Sequence, residues 1–425
     1  MNNKRILYGI VSAIILAALI LPMSATAWLS PGMKVLEGEM GMAKSGVIKQ
    51  DISFTAEDFA KAVGTDNIDK ITILSLPSKD SGKLYLGELE VMKNQVIGFE
   101  SIPMLKFTPS TSKESEAAFK FSATCKEREY TIDCSLYVLS EINAAPSVCQ
   151  NKFTSEIETF ENMPVYGSLC ATDSENDLMT YEINTQPAHG TVRITDRSVG
   201  SYIYTPCENY KGKDSFRYSV TDKFGNTSPS AEVSIKVSKN SSGIEYSDMN
   251  GHWAAASAVK LAMENIMVGE KIGNTMVFSP DNNISRCDFL VMCMNAKGYE
   301  LSDVKGAVTV FEDNDKIPLQ YRAYVSAAYQ QEYIKGVAAE EGLFFKPDDK
   351  ITRAEAVLMI KNIFSLEGTG SQEVFSDETQ LPSWAQDAVY TLKSLGIISG
   401  TGGSSVSPMS LITRAQAAKI LSSII

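Results

Sequence analysis

The sequence predicts a multidomain protein in which two all-β sandwiches stand in tandem ahead of a mainly α-helical domain with pseudo-threefold internal repetition. Three observations carry that reading. At 425 residues the chain exceeds one ordinary domain, and about 150 residues per domain gives roughly three units. Residues 44–238 hold short runs of Val, Ile, Tyr, Phe and Thr broken by Gly, Pro, Asn and Asp, the pattern of strands and turns. Beyond residue 245, apolar residues recur at helical spacing in Ala255–Met267 and Ile351–Phe364, and one motif returns three times.

The first element is a leader. Lys4 and Arg5 precede an apolar run from Ile6 to Leu21, Pro22 breaks the run, and Ala25-Thr26-Ala27 follows. A positive start, an apolar middle and a small-x-small exit describe a secretory signal over residues 1–27, cleaved to leave Trp28 first. The alternative is an uncleaved anchor, for which the run is slightly short. No other run is long and apolar enough to span a bilayer, so no membrane span is expected after cleavage. The composition, 44% apolar and 21% charged, is that of a folding chain. A net charge of -12 with no basic cluster beyond Lys4-Arg5 excludes a nucleic-acid partner.

Seven cysteines is an odd number, so at least one is unpaired within the monomer. Cys125 and Cys134 flank a short hairpin-like segment and are the expected pair. Cys287 and Cys293, six apart in a helical pattern, fall on different faces and are not expected to bridge. There is no C-x-x-C and only His189 and His252 exist, so neither a zinc site nor any cofactor is predicted.

The β region holds one pattern twice, over residues 44–142 and 145–238. Phe107-Thr108-Pro109 is followed ten residues after its proline by Phe119-Lys120-Phe121, and Tyr204-Thr205-Pro206 at the same distance by Phe216-Arg217-Tyr218. Aromatic residues at alternate positions put two rings on one face of a strand. Each block ends in a further strand, near Ser135–Leu139 and Glu232–Val237, and is preceded by a Pro and Gly turn, Pro77 with Gly82 and Pro187 with Gly190. The second block resembles the bacterial immunoglobulin-like and cadherin-like modules of surface proteins. It does so in Ala171-Thr172-Asp173 with Asn176-Asp177, in His189-Gly190-Thr191-Val192, in Tyr210–Phe216 and in Val220-Thr221-Asp222. The resemblance implies two immunoglobulin-like sandwiches of about 95 residues, although the first copy lacks the Asp-rich turns. Asp173, Asn176, Asp177 and Asp222 are oxygen donors of the kind calcium takes; the reading preferred is Asx turns in loops, and no metal.

Lys239-Asn-Ser-Ser-Gly243 reads as a linker. The repeats follow over 245–302, 310–366 and 374–425. Ser279-Pro280 leads to Ile284-Ser285-Arg286-Cys287-Asp288, Lys346-Pro347 to Ile351-Thr352-Arg353-Ala354-Glu355, and Ser407-Pro408 to Ile412-Thr413-Arg414-Ala415-Gln416. Upstream, an aromatic-x-Asp opens each copy, at Tyr246–Asp248, Phe311–Asp313 and Phe375–Asp377. A helix follows, with Gly269, Gly336 or Gly400 read as its stop. Ser285, Thr352 and Thr413 are good N-caps with Asp288, Glu355 and Gln416 three residues on, so a helix starts at each site with its arginine in first place. A guanidinium beside the free N–H groups of a helix start makes an anion site, and arginine grips carboxylates with two hydrogen bonds. The competing reading pairs each arginine with an acid of its own array, such as Asp248, Asp313 or Asp377.

The triplet resembles the S-layer homology family in its F-x-D, W-A and I-T-R-A-E elements. That resemblance implies a three-part domain whose grooves bind secondary cell-wall polysaccharide on the peptidoglycan-associated surface, commonly a glycan bearing pyruvyl ketals. The implied carbohydrate-binding residues are Arg286, Arg353 and Arg414, with Asp248, Asp313 and Asp377, the three glycines, and Trp253 and Trp384 at the W-A position. These rings either stack on sugar C–H faces or fill the core. Repeat two departs from the pattern, with Gln320 at the tryptophan position and Tyr321 beside it. From 245 to 425 there are 15 Lys and Arg against 22 Asp and Glu, so an anionic polymer is not drawn in by long-range field and binding rests on local pockets. The function implied is a secreted, wall-anchored surface protein whose sandwiches serve as spacer or display platform. An adhesin acting through the sandwiches is an alternative. An enzyme is disfavoured, because neither histidine sits in a triad-like setting and no carboxylate pair stands in a motif.

Overall fold

A computed structural model describes residues 41–126, 128–299, 307–368, 375–399 and 405–425. The predicted leader, Trp28 and Gly400 lie outside the described residues.

The first unit runs through β1 (Gly41–Val47), β2 (Ile52–Ser53), α1 (Ala56–Val63), β3 (Lys70–Ser75), β4 (Gly82–Leu86), β5 (Leu89–Glu90), β6 (Val96–Gly98), β7 (Leu105–Pro109), β8 (Ser115–Cys125) and β9 (Arg128–Leu139). One sheet has the order β1-β9-β8-β3-β6 and the other β2-β7-β4-β5, with β1 and β9 parallel. Alternate residues of both sheets, among them Ile71, Ile73, Phe107, Phe119, Phe121, Ile132 and Leu136, are buried in one shared core. Helix α1 starts on a capping box between Thr55 and Asp58 and drops Phe59 into that core.

The second unit contains β10 (Ser147–Val148), the single-turn α2 (Lys152–Ser155), β11 (Glu156–Phe160), β12 (Val165–Ser168), β13 (Ala171–Thr172), β14 (Met179–Thr185), β15 (Gly190–Asp196), β16 (Ser201–Pro206), β17 (Gly212–Asp222) and β18 (Ala231–Ser238). Its sheets run β11-β18-β17-β14 and β12-β16-β15, with β11 and β18 parallel. Tyr202, Tyr204, Phe216, Tyr218 and Val233 fill the space between them. Glycine opposes an aromatic strand in both units: a Cβ at Gly82 would lie 2.4 Å from the Phe107 ring, and one at Gly190 2.5 Å from that of Tyr204.

Among the described residues six α-helices carry the C-terminal unit: α3 (Ala255–Met263), α4 (Arg286–Ala296), α5 (Arg322–Gln330), α6 (Arg353–Phe364), α7 (Ser383–Ser394) and α8 (Arg414–Ile424). Small hairpins lie between the helices of the first two repeats, Glu270–Ile272 with Thr275–Val277 and Val337–Ala339 with Gly342–Phe344. The expectation of a mainly α-helical domain needs correction. Among the described residues helices occupy a minority of this unit, because the turns and the strand-like crossings at the centre, with the hairpins of the first two repeats, take up the rest of the chain. Gly269 and Gly336 are also misassigned as helix stops. The left-handed residues that end α3, α5 and α7 are Asn265, Glu332 and Gly396. Gly269 and Gly336 come several residues later, at the start of the hairpins.

The sandwiches and the C-terminal unit touch one another. Tyr137 packs on Phe224 with ring centroids 5.1 Å apart. On the other side, Lys419 donates to the Tyr166 carbonyl and Lys260 pairs with Glu158 at 3.2 Å.

The expected Cys125–Cys134 bridge does not form. In the β8–β9 hairpin Cys125 lies opposite Arg128, and Cys134 opposite Phe119. The two sulfurs are therefore six rungs apart, about 20 Å along the strand. Cys149 and Cys170 are bonded instead, beside the β10–β13 pair. Cys287 and Cys293 are both free, as their spacing requires, and both are buried. Burial pushes the Cys134, Cys287 and Cys293 thiols up, that of Cys287 to about 12, and a buried thiol reacts slowly. Only Cys207 among the five free thiols is exposed. Ellman titration of the native protein should therefore show one fast thiol and, in denaturant without reductant, five. A fast thiol that persists in Cys207→Ser would contradict this assignment.

Candidate functional site

The C-terminal unit is assembled around its axis by backbone hydrogen bonds passed from repeat to repeat. Ile284 N–H donates to Ile412, Ile412 N–H to Ile351, and Ile351 N–H to Ile284, at 3.3, 3.1 and 3.1 Å. Two residues later the arginines repeat the exchange, the N–H of Arg286, Arg353 and Arg414 donating to Asp349, Ser410 and Asn282. Helix starts normally leave such N–H groups unpaired. Here the crossing loop of the next repeat receives them, so the site first read as open to an anion is partly occupied by the protein itself.

The arginine side chains reach the same way. Arg286 Nε donates to the Phe345 carbonyl (3.1 Å), Arg353 Nε to Val406 (2.8 Å) and Arg414 Nε to Phe278 (2.7 Å). The N–H of each of those three residues is held by an aspartate. Asp248 accepts from Phe278 (2.9 Å) and Ser279 (2.6 Å), Asp313 from Phe345 (2.9 Å) and Lys346 (2.7 Å), and Asp377 from Val406 (2.8 Å) and Ser407 (2.7 Å). Ser279, Lys346 and Ser407 all have left-handed backbone, φ 58°, 58° and 49°. Such a conformation costs about 1–2 kcal/mol in a residue with a Cβ, and the carboxylate bonds offset it. At Asp377 burial opposes the charge, but the Ser405 hydroxyl and the backbone donors prevail and hold the carboxyl below its ordinary range. The three aspartates thus serve the turn. They do not bond the arginines directly.

The glycines serve the same turns. A Cβ at Gly269 would stand 2.4 Å from the Tyr246 ring, and one at Gly336 2.5 Å from that of Phe311. The aromatic-x-Asp motif needs a bare backbone beside its ring.

What distinguishes the repeats is the far end of each guanidinium. Arg286 is buried, and its Nη1 pairs with Glu355 Oε1 at 2.9 Å. Arg414 sends Nη2 to the Val268 carbonyl, and burial, which works against its charge, is opposed by Tyr246, Glu270 and Asp288. Arg353 differs. Among the described residues its Nη atoms have no hydrogen-bond partner, and in its cleft the capping position holds the amide of Gln416 where the other repeats hold Asp288 and Glu355. Gln416 completes its capping box as well as an acid does, accepting from Thr413 N–H.

The cleft has a volume of about 580 Å³ and lies between the second sandwich and the C-terminal unit. Arg353, Gln416 and Trp253 line one side, Lys260 and Lys419 stand within it, and Tyr166 and Glu158 form the opposite wall. Burial, together with the neighbouring Lys260, brings the Lys419 ammonium down to about 8. Trp253 and Trp384 are 36% and 49% exposed, so the core is filled by their neighbours Ala254 and Ala385. Tyr321 is half-buried against the core. The structure therefore brings Arg353 and Trp253 into one cleft and leaves Trp384 and Tyr321 outside it. The sequence reading missed Glu355 as the partner of Arg286, and Lys419. The Asp, Glu, Gln series at the capping position was the available signal for the first; Lys419 needed the docked sandwich.

Residues 245–290, 311–357 and 374–418 match the S-layer homology domain, and residues 143–236 match the bacterial Ig domain. The chain thus carries an S-layer homology triplet behind an Ig-like domain, and is a cell-surface protein. It is 25% identical over 248 residues to an amylopullulanase of Thermoanaerobacterium thermosulfurigenes, covering 56% of this chain and 12% of that protein. It is 27% identical over 217 residues to the surface-layer 125 kDa protein of Lysinibacillus sphaericus, covering 50% and 17%. The chain spans under a fifth of the length of these curated relatives. Among solved structures, the fibronectin(III)-like modules of Clostridium thermocellum CbhA match at 15% identity with a TM-score of 0.19, over 47% of this chain and 90% of theirs. No helix among the described residues is long and apolar enough to cross a membrane.

The arginines should separate in their cost to stability. Arg286→Ala leaves Glu355 without its partner and should cost about 3 kcal/mol, whereas Arg353→Ala loses one charge-assisted bond to a carbonyl and should cost about 1.5 kcal/mol. Urea unfolding of both variants checks this, and equal losses would show that the Glu355 pair adds nothing.

Proposed function

We propose that this protein is held non-covalently on the bacterial cell wall by its C-terminal triplet, which binds a secondary wall polysaccharide carrying a sugar-linked carboxylate, such as a pyruvyl ketal. The two sandwiches project from the wall as spacer or display platform, and the chain carries no catalytic site of its own. One observation carries the reading: Arg353, whose Nη atoms have no hydrogen-bond partner among the described residues, and the partly exposed Trp253 line the same cleft, which is of sugar-chain size. A carboxylate takes two parallel hydrogen bonds from such an edge, and the indole face takes the C–H surface of the ring that bears it. The Arg286 and Arg414 positions are already answered by protein groups and bind more weakly. That the two sandwiches are one module used twice is supported by the corresponding orders β1-β9-β8-β3 and β11-β18-β17-β14, by the parallel pairing of β1 with β9 and of β11 with β18, and by the glycine–aromatic contact in each. The enzymes among the relatives are far longer than this chain, and their names describe whole proteins.

Co-sedimentation of the purified mature chain with wall sacculi tests the proposal. Arg353→Ala should weaken binding by roughly 1.5–3 kcal/mol, about ten- to a hundredfold, and Trp253→Ala should weaken it too, while Arg286→Ala and Arg414→Ala, if folded, change it less. Arg353→Lys should rescue only in part, because Lys cannot form the fork. Normal binding by a folded Arg353→Ala protein would remove the arginine from the site. Equal binding to chemically depyruvylated wall would remove the carboxylate.

A further inference from the structure

The joint between the second sandwich and the C-terminal unit is built from one short stretch of chain. Phe153 packs against the apolar core of the triplet. Its neighbour Thr154 is 4% exposed and seats on Gly396, the left-handed residue that ends α7. A Cβ at Gly396 would run into Thr154 Cγ2 and stand 3.6 Å from Cys170 Cβ, so only a bare backbone admits this seat. Glu158 pairs with Lys260, and the Tyr166 carbonyl accepts from Lys419. Phe153, Thr154, Glu158 and Tyr166 all lie between Cys149 and Cys170, whose disulfide closes that stretch into one loop at a sequence separation of 21.

Most of the loop is anchored without the disulfide. Strand β11 is laddered to β18 and β12 to β16. The single turn α2 has no ladder. Its capping box, between Asn151 and Thr154, is local, and its one bond back towards the sandwich runs from the Thr154 hydroxyl to the Cys149 carbonyl at 2.8 Å. Upstream, β10 has two rungs to β13, Ser147 with Thr172 and Val148 with Ala171, extended by Cys149 N–H donating to the Cys170 carbonyl at 3.0 Å. So short a ladder frays on its own. Cys170 is fixed from the buried side, where the Tyr218 hydroxyl donates to its carbonyl at 3.2 Å. The disulfide thus links the core of the sandwich to the turn that seats on Gly396. Both cysteines are only partly buried, so a thiol in solution reaches the bond.

We propose that the Cys149–Cys170 disulfide is a redox clasp for this joint: oxidised, it holds α2 on Gly396 and keeps the second sandwich docked on the triplet; reduced, it frees α2 and the dock opens. The step is exchange with an external dithiol. One thiolate attacks the protein disulfide, the second closes the reagent into its own disulfide, and the two electrons and two protons end on the Cys149 and Cys170 thiols. What then remains is the Lys260–Glu158 pair and the Lys419–Tyr166 bond, and a partly exposed ion pair holds little by itself. The clasp acts whether or not the cleft holds a glycan, because none of its parts is a ligand contact.

Hydrogen exchange of the purified mature chain, oxidised and treated with dithiothreitol, reads the joint segment by segment. Reduction should speed exchange about tenfold in residues 150–155, in 394–398 and in the linker 239–243, while β17 and β18 stay protected. Cys149→Ser combined with Cys170→Ser should match the reduced protein with no reductant present, and small-angle scattering should show both to be longer than the oxidised chain. Phe153→Ser leaves the disulfide in place and should open the joint as well, because it removes the apolar part of the seat. A reduced, folded chain that protects 239–243 and 394–398 as well as the oxidised one does would overturn the clasp. So would loss of protection in β17 and β18 together with 150–155, since the bond would then maintain the sandwich itself, and so would an oxidised Phe153→Ser protein that stays docked.

Discussion

Three backbone hydrogen bonds, passed in a ring among Ile284, Ile351 and Ile412, set the geometry of the whole C-terminal unit. Each isoleucine donates to one neighbour and accepts from the other, so no repeat can close its own crossing strand. A single repeat would leave those groups unpaired in an apolar centre, at a cost of a few kcal/mol each. The ring also fixes where each helix begins, because the N-cap follows the isoleucine directly. With the helix start fixed, the arginine has one direction to go: across the boundary, to the carbonyl whose own N–H is held by an aspartate. The motif residues that look scattered along the sequence are one device, an aspartate and an arginine gripping opposite ends of the same peptide in the turn before the proline.

This explains what could be read in advance and what could not. The repeat period, the capping boxes and the helix starts are local, and Ser285, Thr352 and Thr413 cap as their spacing requires. So is the alternation that buries Phe119 with Phe121 and Phe216 with Tyr218. The aspartates were misread because their partners lie about thirty residues away on backbone atoms, which leave no mark in the sequence. Gly269 and Gly336 were misread because glycine ends helices more often than it makes room for a ring. The wrong disulfide came from treating sequence proximity as spatial proximity: the hairpin register, in which Cys125 faces Arg128, sends Cys125 and Cys134 to different rungs.

The second sandwich is more than a neighbour of the triplet. It supplies a wall to the Arg353 cleft, where Lys419 donates to the Tyr166 carbonyl and Lys260 donates to the Ser422 and Ile425 carbonyls and pairs with Glu158, although burial and the neighbouring Lys260 work against the Lys419 charge. The cleft gathers two ammonium groups and one guanidinium edge with the carboxylates of Glu156 and Glu158. If the proposed glycan binds there, it touches both units, and the packing of the sandwich on the triplet and the binding of the glycan would favour one another by linkage.

The same accounting explains why one groove of three differs. In the boundary between repeats one and two of the arginine chain, Glu355 neutralises Arg286, and the result is a buried pair that contributes to the fold but has nothing left for a ligand. Gln416 keeps the helix cap, a hydrogen bond that an amide and a carboxylate make equally well, and drops the charge. The substitution costs the domain one ion pair and leaves Arg353 with an open edge. On the proposed binding, a ligand carboxylate would enter the position that Glu355 fills at Arg286, meeting a guanidinium already oriented by Val406 and Asp377. Because that orientation is set by the fold before any ligand arrives, little ordering would remain to be done on binding, which is how, on the proposed function, a domain of net negative charge would hold an anionic polymer through local geometry.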